Sequence, residues 1–285
     1  MRKSLVAHLA AITLLAPYAI AAEPFFLLRQ LSNLEARPDD LTVNAQAAVY
    51  KPIFGIGTDD AEKLKGVARY GELTVGPDGA SAVVSYPAEE QIYYILEGHG
   101  TLLYDDLKVP VKKDDFMYLP VGTRHGMANP GSAPVRVIVM GYRTPANRQI
   151  APTPELLLAN SADVSLQVLA SHGPTTQFKL LMGQTTSRRD RLAAASEMTS
   201  LFIMDFAAGG TNIPHSHAAE EEIYLLMRGS GEIVAGRTGD GQDSRHPVKE
   251  GAVFFFGPGT RVGYYSGAKE GRDHDLILAV RSRLP

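Results

Sequence analysis

His215, His217 and Glu222 have types and spacing suited to metal chemistry in this 285-residue chain. Two imidazoles two positions apart fall on one face of an extended strand, close enough to hold one ion. A turn through 218–221 lets Glu222 face the same interior. Tyr224 and Leu226 share its parity, whereas Ile223, Leu225 and Met227 point the other way. Glu221 is the competing carboxylate, but its parity turns it aside. Two imidazoles and a carboxylate leave several coordination positions open, as in an Fe(II) facial triad, and equally suit Mn, Zn, Cu or Ni. The expected cofactor is one divalent transition metal in the C-terminal part of the chain. The rival reading makes the His-x-His pair a degenerate remnant or a solvent-facing loop pair. His274, between Asp273 and Asp275, is either a further ligand or part of a solvated charged turn.

The elements positioning these residues are short strands. β-branched and aromatic runs with period-2 alternation predict strands at 71–75, 80–85, 92–96, 101–104, 116–119 and 136–141, then at 201–206, 223–227, 232–234, 252–256 and 276–280. Helical signal is confined to 59–67 and 153–160. The halves also repeat. Glu89-Glu90-Gln91-Ile92-Tyr93-Tyr94 and Gly98-His99-Gly100 return as Glu220-Glu221-Glu222-Ile223-Tyr224-Leu225 and Gly229-Ser230-Gly231, offset by 131. Pro120-Val121-Gly122-Thr123-Arg124-His125-Gly126 returns as Gly257-Pro258-Gly259-Thr260-Arg261-Val262-Gly263, offset by 137. A longer polar loop at 236–246 absorbs the difference. Many evenly spaced short strands, met twice, predict an all-β protein with two jelly-roll units. They meet near 145–175, where Pro145, Pro152, Pro154 and Pro174 interrupt the pattern. The expected divisions are 22–150 and 151–285.

With these motifs the chain resembles the bicupins, proteins of two tandem cupin barrels. Gly209, His215, His217, Glu222 and Gly229 match the first cupin motif. Asp114 (at a glycine position), Pro120, Gly122, His125 and Asn129 match the second. The resemblance implies a jelly-roll β-barrel in each half and His215, His217 and Glu222 as ligands, with Val262 where a fourth ligand would stand. In the first half it places Val84, Tyr86 and Gln91 at ligand positions, so only His125 is retained. Tyr86, Gln91 and His125 are expected to line a pocket rather than hold a strong metal site, and Tyr224 to line the pocket of the second half. Tyr93, Tyr94, Met117 and Tyr118 are further cavity candidates. Related bicupins include dioxygenases and decarboxylases, and dimers are common among such barrels.

Arg2 and Lys3, the apolar stretch 5–22 and the small residues Ala19 and Ala21 predict a signal peptide over 1–21 rather than a stable membrane anchor. Its loss would shift the formal charge from −3 to −5, and no basic cluster suggests nucleic acid as a partner. The absence of cysteine excludes disulfides, thiolate sites and cysteine nucleophiles. The expected function is a periplasmic or secreted metal-dependent enzyme, an oxygen-using dioxygenase being one form, acting on a small organic molecule. The metal would polarise a substrate oxygen or activate O₂. The alternatives are a non-catalytic small-molecule-binding bicupin and a structural assembly.

Overall fold

The computed structural model describes residues 25–285 except 149, 151, 152, 154 and 171. The expected signal peptide therefore lies outside the described residues. Among those described, the regular structure is strand with short 3₁₀ turns. The first half holds β1 (Phe26–Gln30), β2 (Gln46–Gly55), β3 (Val67–Ala80), β4 (Glu89–Glu97), β5 (His99–Tyr104), β6 (Leu107–Lys112), β7 (Asp115–Leu119), β8 (His125–Asn129) and β9 (Val135–Arg143). The second holds β10 (Leu157–Asn160), β11 (Thr176–Gln184), β12 (Leu192–Ala195), β13 (Met198–Phe206), β14 (Thr211–Ser216), β15 (Glu220–Arg228), β16 (Ser230–Arg237), β17 (Asp243–Lys249), β18 (Ala252–Phe256), β19 (Arg261–Ser266) and β20 (Asp275–Arg283).

Alternation along these strands builds two barrels back to back. In barrel one the order β7-β4-β9-β3 continues through β8, β5 and β6, with β2 also paired to β3. In barrel two, β18-β15-β20-β13-β11-β12 faces β14-β19-β16-β17. One face of each strand fills its own barrel: Tyr93, Ile95 and Met117 in the first, Tyr224, Leu226 and Phe254 in the second. The other face enters a shared cluster between barrels that includes Tyr94, Tyr118, Ile223, Leu225 and Phe255. The parity expected for 222–226 holds. Tyr94 and Tyr118, expected as cavity candidates, face the interface instead. Each fully buried aliphatic side chain there contributes about 1.5–3 kcal/mol.

The halves exchange their leading strands. β1 pairs antiparallel with β18 of barrel two, Phe26 opposite Phe256, and β10 pairs with β7 of barrel one, Leu157 opposite Tyr118. Residues 157–160 thus join the sheet of the preceding half. Buried carboxylates repeat this reciprocity. Glu90 accepts backbone N–H bonds from Ser196, Glu197 and Met198, while Glu221 accepts them from Lys65, Gly66 and Val67. Burial pushes both acids up, and the donated N–H groups pull them back down.

Several local expectations are corrected. Residues 59–67 form only a 3₁₀ turn, Ala61–Lys63, before β3 begins. The segment is too short to sustain a helix without an apolar stripe. The helix expected at 153–160 is replaced by β10, because the edge of β7 satisfies the backbone of this Leu-rich run. The strand expected at 80–85 ends with β3 at Ala80, and beyond it only Val84 bridges to His125. The extra residues of the second half lengthen the β16–β17 hairpin rather than forming a plain loop. Asp114 takes φ 71° where its counterpart Gly251 has φ 83°, so the left-handed turn is kept without glycine.

Candidate metal centre

Strand β14 carries His215, His217 directly follows its last residue, and β15 carries the carboxylate. His215 Nε2 and His217 Nε2 lie 3.0 Å apart, and His217 Nε2 is 3.5 Å from Glu222 Oε2. One donor atom from each of the three lies within 4.8 Å of the others. His215 Nδ1 is 2.8 Å from the Ile213 carbonyl oxygen, which directs Nε2 inward, and His217 Nδ1 is 3.5 Å from Glu220. Glu222 is 2% exposed, and its Oε2 has no hydrogen-bond partner. Burial pushes this acid up to about 7 against the pull of Arg281. Burial, with Arg281 and His215 adding to it, holds His217 down at about 4, leaving a neutral donor near pH 7. An unpartnered buried carboxylate oxygen beside two converging imidazoles is a donor set that fits a divalent transition metal.

The cluster opens into a cavity of about 460 Å³, large enough for a small organic molecule. Phe178, Leu180, Phe202 and Met204 form apolar wall, and Tyr224, expected in this pocket, lines it. Asn212 Nδ2 donates to the Tyr224 hydroxyl at 2.7 Å. A larger groove of about 800 Å³ between the barrels contains none of the cluster.

The remaining expectations separate. Glu221 points away from the cavity and clamps the backbone N–H groups of Lys65, Gly66 and Val67. His274 is bonded to Asp205, half exposed and absent from the cavity wall, so it is no ligand. The solvated turn expected around it stops there, because Asp275 is buried and accepts from Tyr264, Ser266 and Gly267. Val262 is buried and is the register partner of His215. The mirror arrangement occurs in barrel one, where Val84 bridges to His125.

Tyr86, Gln91 and His125 do come near one another, but around a filled interior rather than an open pocket. Arg69 supplies the filling. Its Nη1 reaches Asp40 at 2.9 Å and the Tyr86 hydroxyl at 3.0 Å, its Nε reaches Glu89 at 3.0 Å, and its guanidinium lies 4.1 Å from the Tyr86 ring centre. Gly141 is the strand partner of both Arg69 and Gln91, and a Cβ there would stand 2.7 Å from Arg69 Cγ. Gln91 donates to Glu89. His125 packs against the rings of Tyr86 and Tyr93, and burial lowers it to about 4.

Sequence reasoning missed His172, Ser200 and Arg281 in the cavity of barrel two. His172 sits in a loop outside every motif, with its Nδ1 buried and unpartnered and its ring centre 6.2 Å from that of His215. Arg281 was legible only as a charge ending the apolar run 276–280.

Among known proteins, the Cupin domain family matches residues 71–141, within barrel one. An uncharacterized protein of Methanocaldococcus jannaschii is 35% identical over 79 residues, 27% of this chain and 63% of that protein. This chain thus spans less than two thirds of that relative. The crystal structure of the protein YlbA from E. coli superposes with TM-score 0.67 at 16% identity, covering 94% of this chain and 95% of the other. An oxalate decarboxylase of Lactobacillus farciminis, in a formate complex, gives 0.66 at 11% identity over 91% and 86%. The Bacillus subtilis oxalate decarboxylase OxdC gives 0.64 at 9% over 90% and 76%.

Proposed function

We propose, from the premise that the chain is a bicupin with two cupin barrels in tandem, that it is an exported metal-dependent enzyme acting on a small organic molecule in barrel two. The observation carrying this reading is the convergence of His215, His217 and Glu222 at a cavity, with a buried carboxylate oxygen left unpartnered. These three residues would hold one divalent transition metal, which supplies Lewis acidity toward a substrate oxygen or, if redox-active, a means of using O₂. Asn212 fixes the Tyr224 phenol. The apolar wall excludes water from the bound molecule. His172, kept below the ordinary imidazole value by burial and by His215, is the neutral base on the cavity wall outside the ligand cluster. It is the group positioned to exchange a proton with the substrate.

Metal titration tests the reading. Wild-type protein should take up one equivalent of Mn(II) or Zn(II), His217→Ala should lose most of that uptake, and Glu222→Gln should retain part of it. Equal, negligible uptake by all three would leave a non-catalytic binding barrel as the function. Val262 at the fourth-ligand position favours that second reading, and oxygen consumption by Fe(II)-loaded protein separates an oxygen-using enzyme from it. Export is tested by intact mass: a mature chain beginning after Ala21 is expected.

A further inference from the structure

The two barrels place an arginine at the same depth from different strands. In barrel one it is Arg69 on β3, facing Gly141 on β9. In barrel two the equivalent pair is Ser200 on β13 facing Arg281 on β20. Register fixes this equivalence, since Gly141 pairs with Gln91 and Arg281 with Glu222 at the same place in the repeat. The guanidinium has changed strands while staying beside the metal-ligand position.

What surrounds it differs. Arg69 is closed off by Asp40, Glu89 and the Tyr86 hydroxyl. Arg281 donates from Nη1 to Glu220 at 3.4 Å, its Nε lies 3.9 Å from Glu222, and its guanidinium is 5.6 Å from the Phe202 ring centre. Its Nε is buried without a hydrogen-bond partner, and so is the Ser200 hydroxyl opposite. Both line the cavity that His217 and Glu222 line. Unpaired buried donors are costly, and a guanidinium fork is matched by a carboxylate. Barrel one fills that demand with its own Asp40. Barrel two leaves the Nε edge and the Ser200 hydroxyl unmet in the cavity walled by Phe178, Phe202 and Met204.

We propose that the ligand of barrel two is a carboxylate with an apolar body, its carboxylate received by Arg281 and Ser200 and its body by the aromatic wall. The substrate class rests on the functional reading above, but the carboxylate grip does not require the metal. A divalent ion on Glu222 would draw that carboxylate away from Arg281 and strengthen the attraction for an anion.

The test compares 3-phenylpropanoate with its neutral isostere 3-phenylpropanamide by calorimetry, on full-length mature protein with and without Mn(II). Mn(II) uptake is measured separately. Wild type should bind the carboxylate at least about tenfold more tightly than the amide. Arg281→Gln should abolish that preference, and Arg281→Lys, which keeps the charge without the fork, should reduce it. Ser200→Ala should weaken the carboxylate alone. Equal affinity for acid and amide in wild type, no binding of the acid, or a preference unchanged in Arg281→Lys and Ser200→Ala would overturn the proposal. Mn(II) uptake without acid preference would sink the substrate class and leave the metal centre standing. Acid preference without Mn(II) uptake would do the reverse.

Discussion

Each barrel sets a valine opposite a histidine at its ligand positions, on opposite sides of the same strand pair. His215 faces Val262 across β14 and β19, while Val84 faces His125 across the matching bridge of barrel one. Each barrel has kept one histidine of that facing pair. Val262 is buried in the barrel interior, so Val262→His would direct an imidazole toward the His215 cluster. It should tighten Mn(II) or Zn(II) binding by at least roughly tenfold, about 1.4 kcal/mol, as read by competition with a chelating dye. Activity need not rise, because the added donor occupies a position that substrate would use. His125 makes a different prediction. Its folded value of about 4 lies below that of an unfolded histidine, so the unfolded chain binds the proton first as pH falls. Stability is therefore full above pH 6.5 and declines toward pH 4, by about 3 kcal/mol at most. Urea denaturation across that range should show the slope, and His125→Leu should flatten it.

At the scale of the element, β4 and β15 each carry two functions on alternate faces. Gln91 and Glu222 look into a barrel, and their neighbours Glu90 and Glu221 look out to grip the other half's loop. Replacing Glu90 or Glu221 with alanine strands two buried N–H donors and one part-buried donor, and should cost about 3–5 kcal/mol. Chemical denaturation of each variant measures this, and a loss under 1 kcal/mol would contradict the clamp. The alternation of 220–226 was legible because strand geometry has period 2, so the inward set of Glu222, Tyr224 and Leu226 follows from parity alone. What Glu221 holds was not legible, since its donors lie more than 150 positions away. The same limit hid Arg69 and Arg281, whose equivalence exists only in cross-strand register. At 157–160 local helical pattern lost to an available sheet edge, a tertiary effect that a short window cannot contain.

For the whole molecule, the shared cluster makes the barrels depend on each other. Either half produced alone would expose the apolar face bearing Tyr94 and Tyr118 or Ile223, Leu225 and Phe255, and should associate or precipitate. Removing residues 22–32 from the mature protein is a milder test. It uncovers the edge of β18 and withdraws Phe25 and Leu27 from the cluster. The expected loss is roughly 3–6 kcal/mol, with new oligomers visible by sedimentation; an unchanged monomer–dimer distribution and midpoint would count against it. The exchange of leading strands also imposes a timetable on the chain. β1 is among the first described segments synthesised, yet Thr260, which donates to the Phe25 carbonyl, follows 235 positions later. Barrel one can close with β10 soon after its own strands, whereas β1 must wait for β18, whose Phe256 follows its partner Phe26 by 230 positions. Docking of β1 is thus a step of high contact order, before which an unpaired strand is available to another molecule.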